Sequence, residues 1–253
     1  MSAAKPTFVL APGAWHKASC FAPVEKLLAA RGYDVEAVEY PSVGAEPPTK
    51  GLAEDAAAVR AALERLAAEE KEIVLVVHSY GGLVGANAVR GLGYKERAKE
   101  GKKGGVILYV YLTAFVVPAG KSVKEMLGGQ FLPWMKFEET GHVYAQTPED
   151  IFYHDVEPAT QEKAIAELRH QSAPVFADVV DHEPWHTIDS CYYICTEDKA
   201  IPLPIQEAMA SSLGPNGFSL TIKASHSPFL SVPEELSEGL DKAAEIGQER
   251  IRA

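Results

Sequence analysis

Cysteine, positive charge and long apolar runs are all scarce in this chain, and each scarcity removes a class of function. The three cysteines, Cys20, Cys191 and Cys195, are odd in number and form no C-x-x-C pair, so neither a disulfide framework nor a cysteine zinc site is expected. Cys191 and Cys195 are about 13 Å apart by strand rise, too far to bridge directly. Free thiols fit a reducing compartment. Lys and Arg total 24 against 35 Asp and Glu, a formal net charge of −11, which argues against nucleic acid or an anionic membrane as partner. The one basic stretch, YKERAKEGKKGG at 94–105, lacks interleaved aromatics and is expected to be a solvated loop or frayed helix end. No run of about 18 apolar residues is available to span a bilayer. The first residues, MSAAKPTFVLAPG, carry one lysine and a short apolar run that belongs to a strand, not a signal peptide of usual length. A soluble, cytoplasmic protein is the expectation.

What is abundant is a repeated strand and helix pattern. Residues 7–11, 33–40, 73–78, 106–113, 190–196 and 218–223 are short apolar or alternating runs, with helical segments expected at 21–30, 52–70, 83–92, 205–213 and 234–252. Strand, helix, strand, helix in order predicts an α/β fold, with about six mostly parallel strands covered by helices on both faces. The three prolines and one glycine of 41–48 make the 41–50 segment loop. At 116–185 the pattern is lost among prolines, short helical pieces and large apolar residues, in a segment too long for an ordinary connection. It is expected to be a helical lid inserted in a core formed by 1–115 and 186–253, with Phe131, Trp134 and Trp185 joining Trp15, Phe115 and Phe229 around a substrate pocket. There is no internal repeat or second compact domain.

The chain is organised around IVLVVHSYGG at 73–82. Five apolar residues, four of them β-branched, predict a strand buried on both faces. It breaks at Ser79 and resumes as a helix, the strand, turn and helix of a nucleophile elbow, although Val77 stands where G-x-S-x-G has its first glycine. A serine hydroxyl needs an imidazole to take its proton, and the imidazole needs a carboxylate to orient it. His226 follows the last predicted strand and Asp198 the one before it, so all three side chains are expected at the same end of a parallel sheet. Glu197 and Asp189 compete with Asp198. Glu197 is adjacent in the same loop, and Asp189 lies at the wrong end of its strand. His78 is expected to pack beneath the elbow. The amides of Tyr80 and Ala14 are the expected oxyanion donors. His182 to His186 reads H-E-x-x-H, but Pro184 lies inside it and a zinc-binding helix is not expected. No metal and no cofactor is predicted.

These motifs resemble the α/β-hydrolase superfamily, specifically its small-lid group of plant methylesterases, hydroxynitrile lyases and bacterial or fungal relatives. The resemblance spans the chain and rests on Pro12-Gly13-Ala14-Trp15-His16, Val77-His78-Ser79-Tyr80-Gly81-Gly82, the 195–202 segment CTEDKAIP, and Ser225-His226-Ser227-Pro228-Phe229. Pro12 and Val77 stand where the family usually has histidine and glycine. The resemblance implies an α/β-hydrolase fold, Ser79 as nucleophile, Asp198 as acid, His226 as base and the Ala14 and Tyr80 amides as oxyanion hole. Positions where cyanohydrin lyases carry a hydroxyl or amide and a lysine match Gly13 and Ser227, which disfavours that lyase chemistry.

The expected activity is a serine esterase acting on a small or medium apolar ester, such as a methyl or aryl ester or a lactone. Two alternatives stay open, a cofactor-free lyase using the same triad as acid and base, and a small-molecule receptor on the hydrolase scaffold. A homodimer is also left open.

Overall fold

The computed structural model describes residues 4–215 and 217–253; positions 1–3 of the amino-terminal segment and Asn216 lie outside the described residues. Strand β1 (Thr7–Ala11) leads through a 3₁₀ turn, Ala18–Phe21, into α1 (Ala22–Ala30), and β2 (Val35–Ala37) follows. Next come α2 (Leu52–Ala68), β3 (Glu72–His78), α3 (Gly81–Val89), α4 (Tyr94–Lys99) and β4 (Gly105–Leu112). After a long excursion the chain returns as β8 (Ser190–Cys195), α8 (Leu203–Ser211), β9 (Phe218–Ile222), α9 (Pro228–Ser231) and α10 (Pro233–Arg252). The sheet order is β2-β1-β3-β4-β8-β9, and every pairing is parallel.

The alternation of β3 builds the two faces. Ile73, Leu75 and Val77 pack on the side of α2 and α3, among Val59, Leu63, Leu83 and Val84. Val74 and Val76 pack on the other, among Val24, Leu28, Leu236 and Leu240 from α1 and α10. Both sets are buried because the strand is central, which explains its unbroken apolar run. The second strand is shorter than the expected 33–40. It is an edge, paired only with β1, although Phe8 donates to the Asp34 carbonyl and Val38 to the Leu10 carbonyl beyond its ends. The basic stretch is more ordered than expected. Its first residues form α4, and the Arg97 guanidinium donates to the carbonyls of Ala67, Lys103 and Gly104 at 2.9–3.0 Å.

The excursion between β4 and β8 is not purely helical. Besides α5 (Val123–Met126), α6 (Pro148–Ile151) and α7 (Pro158–Glu167), it contains an antiparallel sheet, β5 (Met135–Phe137), β6 (His142–Ala145) and β7 (Gln171–Ser172). Strands of two to four residues are too short for a two-residue period to register in sequence. Val43 bridges Gln171, and Ser172 donates to the Ser42 carbonyl, so the 41–50 loop continues this small sheet. No helix among the described residues is long and apolar enough to cross a membrane.

Candidate active site

Ser79 occupies the corner between β3 and α3 with φ of 53°, a left-handed conformation costly for a residue with a side chain. Its carbonyl accepts from the Gly82 amide at 3.0 Å and the Phe115 amide at 3.1 Å, which ties the corner to the segment after β4. Val77 fits where a glycine was expected because Gly85 faces it. A Cβ at Gly85 would lie 2.6 Å from Val77 Cγ1 and 2.4 Å from the Tyr109 hydroxyl. The space is thus freed on the helix instead of the strand.

The loop after β1 is held against this corner. A Cβ on Gly13 would meet His78 Nδ1 at 2.8 Å and Ser79 Cβ at 3.0 Å, so only glycine permits the approach. Trp15, at φ of 68°, donates its amide to Gln171 Oε1 at 3.0 Å and its indole N–H to the Val143 carbonyl at 2.9 Å. Both acceptors belong to the excursion sheet. His16 Nδ1 faces the Ala14 carbonyl and Nε2 faces the Tyr153 hydroxyl, each at 2.8 Å. A carbonyl only accepts, so the proton sits on Nδ1 and Tyr153 donates to Nε2.

Asp198 and His226 lie at the ends of β8 and β9 and are both buried. His226 Nδ1 is 2.7 Å from Asp198 Oδ2, an oxygen that also accepts from the Thr113 hydroxyl. Asp198 Oδ1 accepts from the Ala200 and Ile201 amides at 2.7 and 2.9 Å. With Nδ1–H directed at the carboxylate, the His226 Nε2 lone pair is left for another partner. His78 lies beneath the elbow, as expected. Its Nε2 donates to the His226 carbonyl at 2.8 Å, and burial, assisted by His226 and His16, holds its pKa well below the ordinary value.

Ser79 and His226 line one pocket of about 460 Å³, part of it open to solvent, with Ala14, Trp15, His16 and Tyr80. Its other walls are almost entirely apolar, including Phe115, Trp134, Phe152, Phe176 and Ile201. A serine, a histidine and a carboxylate thus stand just beyond three strand ends, the first two on an apolar cleft and the third hydrogen-bonded to the histidine. A model of the alpha/beta hydrolase family matches residues 8–238. The chain belongs to the alpha/beta hydrolase family. It is 30% identical over 249 residues to an alpha/beta hydrolase, nvfD, of Aspergillus novofumigatus, across 95% of this chain and 97% of that one. In fold it is similar to a pyrethroid hydrolase from Sphingobium faniae, at a TM-score of 0.73 and 22% identity over 96% of this chain and 99% of that one. It is also similar to the methylesterase MES16 of Arabidopsis, at 0.76 and 18% over 95% and 99%.

Three of the six aromatics expected around the pocket of this alpha/beta hydrolase line it: Trp15, Phe115 and Trp134. The other three do not. Phe131 stacks on Phe137 with ring centroids 4.0 Å apart, outside the cleft. Trp185 sits in a 3₁₀ turn, Pro184–His186, against His186. Phe229 is fully buried below the elbow, 5.0 Å from both the His78 and Phe21 rings. The unforeseen wall residues Phe152 and Phe176 reach the cleft by packing on Trp15. His16 and Thr113 were also missed. Their only sequence signal was position, in the first loop and at the end of a core strand. Within the H-E-x-x-H sequence, Glu183 is engaged by His186 and by the Ala119 amide.

His16 and Asp55, both close to this site, have pKa values moved in opposite senses. Burial first, with a smaller push from His226 and against the pull of the Ala14 carbonyl, lowers the His16 pKa to about 4. The unfolded chain therefore binds the extra proton between about pH 6.5 and 4, so the stability His16 contributes is complete above that window and lost as pH falls through it. Fully expressed, the loss is about 3 kcal/mol. Asp55, which accepts from Ser42 and the Tyr80 hydroxyl, has its pKa raised by burial to about 6 and contributes with the opposite sign. Urea unfolding of wild type and His16→Gln at pH 7 and 4.5 separates the two, since Asp55 is common to both. The variant should lose less stability on acidification, and equal losses would refute the assignment.

Proposed function

We propose that this alpha/beta hydrolase is a cytoplasmic serine esterase for small or medium, largely apolar esters, with the 116–185 excursion as its lid. The observation that carries the reading is the buried Asp198–His226 pair opening onto the same apolar pocket as Ser79. In this mechanism Ser79 Oγ attacks the ester carbonyl while His226 Nε2 takes its proton. The Ala14 and Tyr80 amides receive the oxyanion. Tyr80 lies at the start of α3, where the amide has no partner within the helix. The imidazolium, held by Asp198, then protonates the departing alcohol, and the acyl group remains on Ser79. Water, deprotonated by His226, then attacks the acyl carbonyl, and the imidazolium returns the proton to Ser79 Oγ as the acid leaves. The names of the pyrethroid hydrolase and the methylesterase agree with an ester as the substrate class.

A p-nitrophenyl ester series from acetate to octanoate, with intact-protein mass recorded during turnover, tests the reading. We expect turnover on the short members, a decline once the acyl chain outgrows the pocket, and a one-acyl mass increase that Ser79→Ala does not show. Neither turnover nor adduct from folded protein would remove the esterase assignment.

A further inference from the structure

The described residues bring three potential metal ligands together away from the catalytic cleft: Glu46, His142 and His170, with ligand atoms all within 4.8 Å of one another. Glu46 comes from the 41–50 loop, His142 opens β6 and His170 immediately precedes β7. Backbone pairing of His142 with Ser172 and of Val43 with Gln171 places them on one seam. Glu46 Oε1 is 3.1 Å from His142 Nε2 and 3.6 Å from His170 Nε2. In a tetrahedral zinc site with bonds of 2.0–2.1 Å the ligand atoms lie about 3.3 Å apart. The two observed separations bracket that value. The far nitrogen of His142, Nδ1, is held by the Thr140 hydroxyl at 2.7 Å, the outer partner that orients a ligating imidazole. His170 Nε2 donates to the Ala45 carbonyl at 3.0 Å, so zinc at this nitrogen would displace that proton and leave the carbonyl beside the ion. Glu46 is largely exposed while the histidines are mostly covered, so an ion has a path in and water can complete the coordination.

We propose that Glu46, His142 and His170 form a zinc-binding site, completed by water or the Ala45 carbonyl, that clamps the 41–50 loop to the excursion sheet. Two imidazoles and one carboxylate suit zinc, whereas magnesium prefers an all-oxygen shell. The clamp bears on the cleft through the residues next to its ligands. Val143 follows His142 and Gln171 follows His170, and these two accept the indole and backbone N–H groups of Trp15. Zinc at the seam would therefore stiffen the loop that carries Ala14.

The test uses untagged protein freed of metal with a chelator and titrated with zinc chloride by calorimetry, with thermal melting at each zinc concentration. We expect one equivalent bound at micromolar Kd or tighter and a Tm that climbs with zinc, as mass action on the folded state requires. Glu46→Gln and His142→Ala should each weaken binding at least about tenfold and move the Tm rise to correspondingly higher zinc concentrations. Magnesium at the same concentrations should do neither. Glu46→Gln changes an exposed side chain, so it keeps the test decisive if His142→Ala folds poorly. Absence of zinc binding to folded wild type would overturn the proposal, leaving a carboxylate shared by two imidazoles. Equal affinity in wild type and both variants would overturn it too.

Discussion

Ser79→Ala is expected to reduce kcat/KM on short p-nitrophenyl esters by about 10⁶-fold, and Asp198→Asn by about 10⁴-fold. The first loss follows because the acyl intermediate has nowhere to form once Oγ is removed. The second is a matter of proton placement. Asp198 Oδ1 is held by the Ala200 and Ile201 amides, so an asparagine there keeps its carbonyl on those donors and turns its NH₂ toward His226 Nδ1 and Thr113. An NH₂ cannot accept the Nδ1 proton. The imidazole then carries its proton on Nε2, the nitrogen that would have to take the Ser79 proton, and cannot act as base. Steady-state kinetics on both variants, with circular dichroism to verify folding, make the comparison. Retention of activity within tenfold by Asp198→Asn would mean that another carboxylate orients His226.

Gly82→Ala is expected to destabilise the fold by at least about 3 kcal/mol, although alanine is favoured over glycine in helices by about 1 kcal/mol. An added Cβ would lie 2.1 Å from the Phe115 carbonyl oxygen and 3.0 and 3.1 Å from its carbon and nitrogen. Relief would require moving backbone that is itself bonded to Ser79. Gly91 provides the control. Its φ of 73° opposes alanine, but nothing lies within 4 Å, so Gly91→Ala should cost only about 1–2 kcal/mol. Urea denaturation of both variants measures the contrast. A Gly82→Ala protein as stable as wild type would show that the corner yields more easily than its contacts require.

The parts of the site that were legible in sequence are those that local chemistry dictates. The apolar run before Ser79 can be satisfied only in a doubly covered strand. Asp198 and His226 follow runs that must be strands, and parallel strands bring their ends to one edge. The excursion was not legible in this way. Its strands are too short to show a period, and its aromatics have no local signal separating wall from filler. Phe131 and Phe176 are both apolar residues of the excursion, yet Phe176 packs on Trp15 and lines the cleft while Phe131 stacks on Phe137 and does not line it.

By itself the sequence determined the order of the core strands and most of the helices between them, the corner at Ser79 and the residue types at three strand ends, because periodicity, turn chemistry and burial pattern act over a few neighbours. The tertiary structure decided what depends on contacts between distant segments. It placed Gly85 opposite Val77, Gln171 and Val143 on Trp15, and Tyr153 on the buried His16. It also gathered Glu46, His142 and His170 at one seam. Each of these pairings joins residues far apart in the chain, or on facing elements, and only packing chooses among the partners available to them.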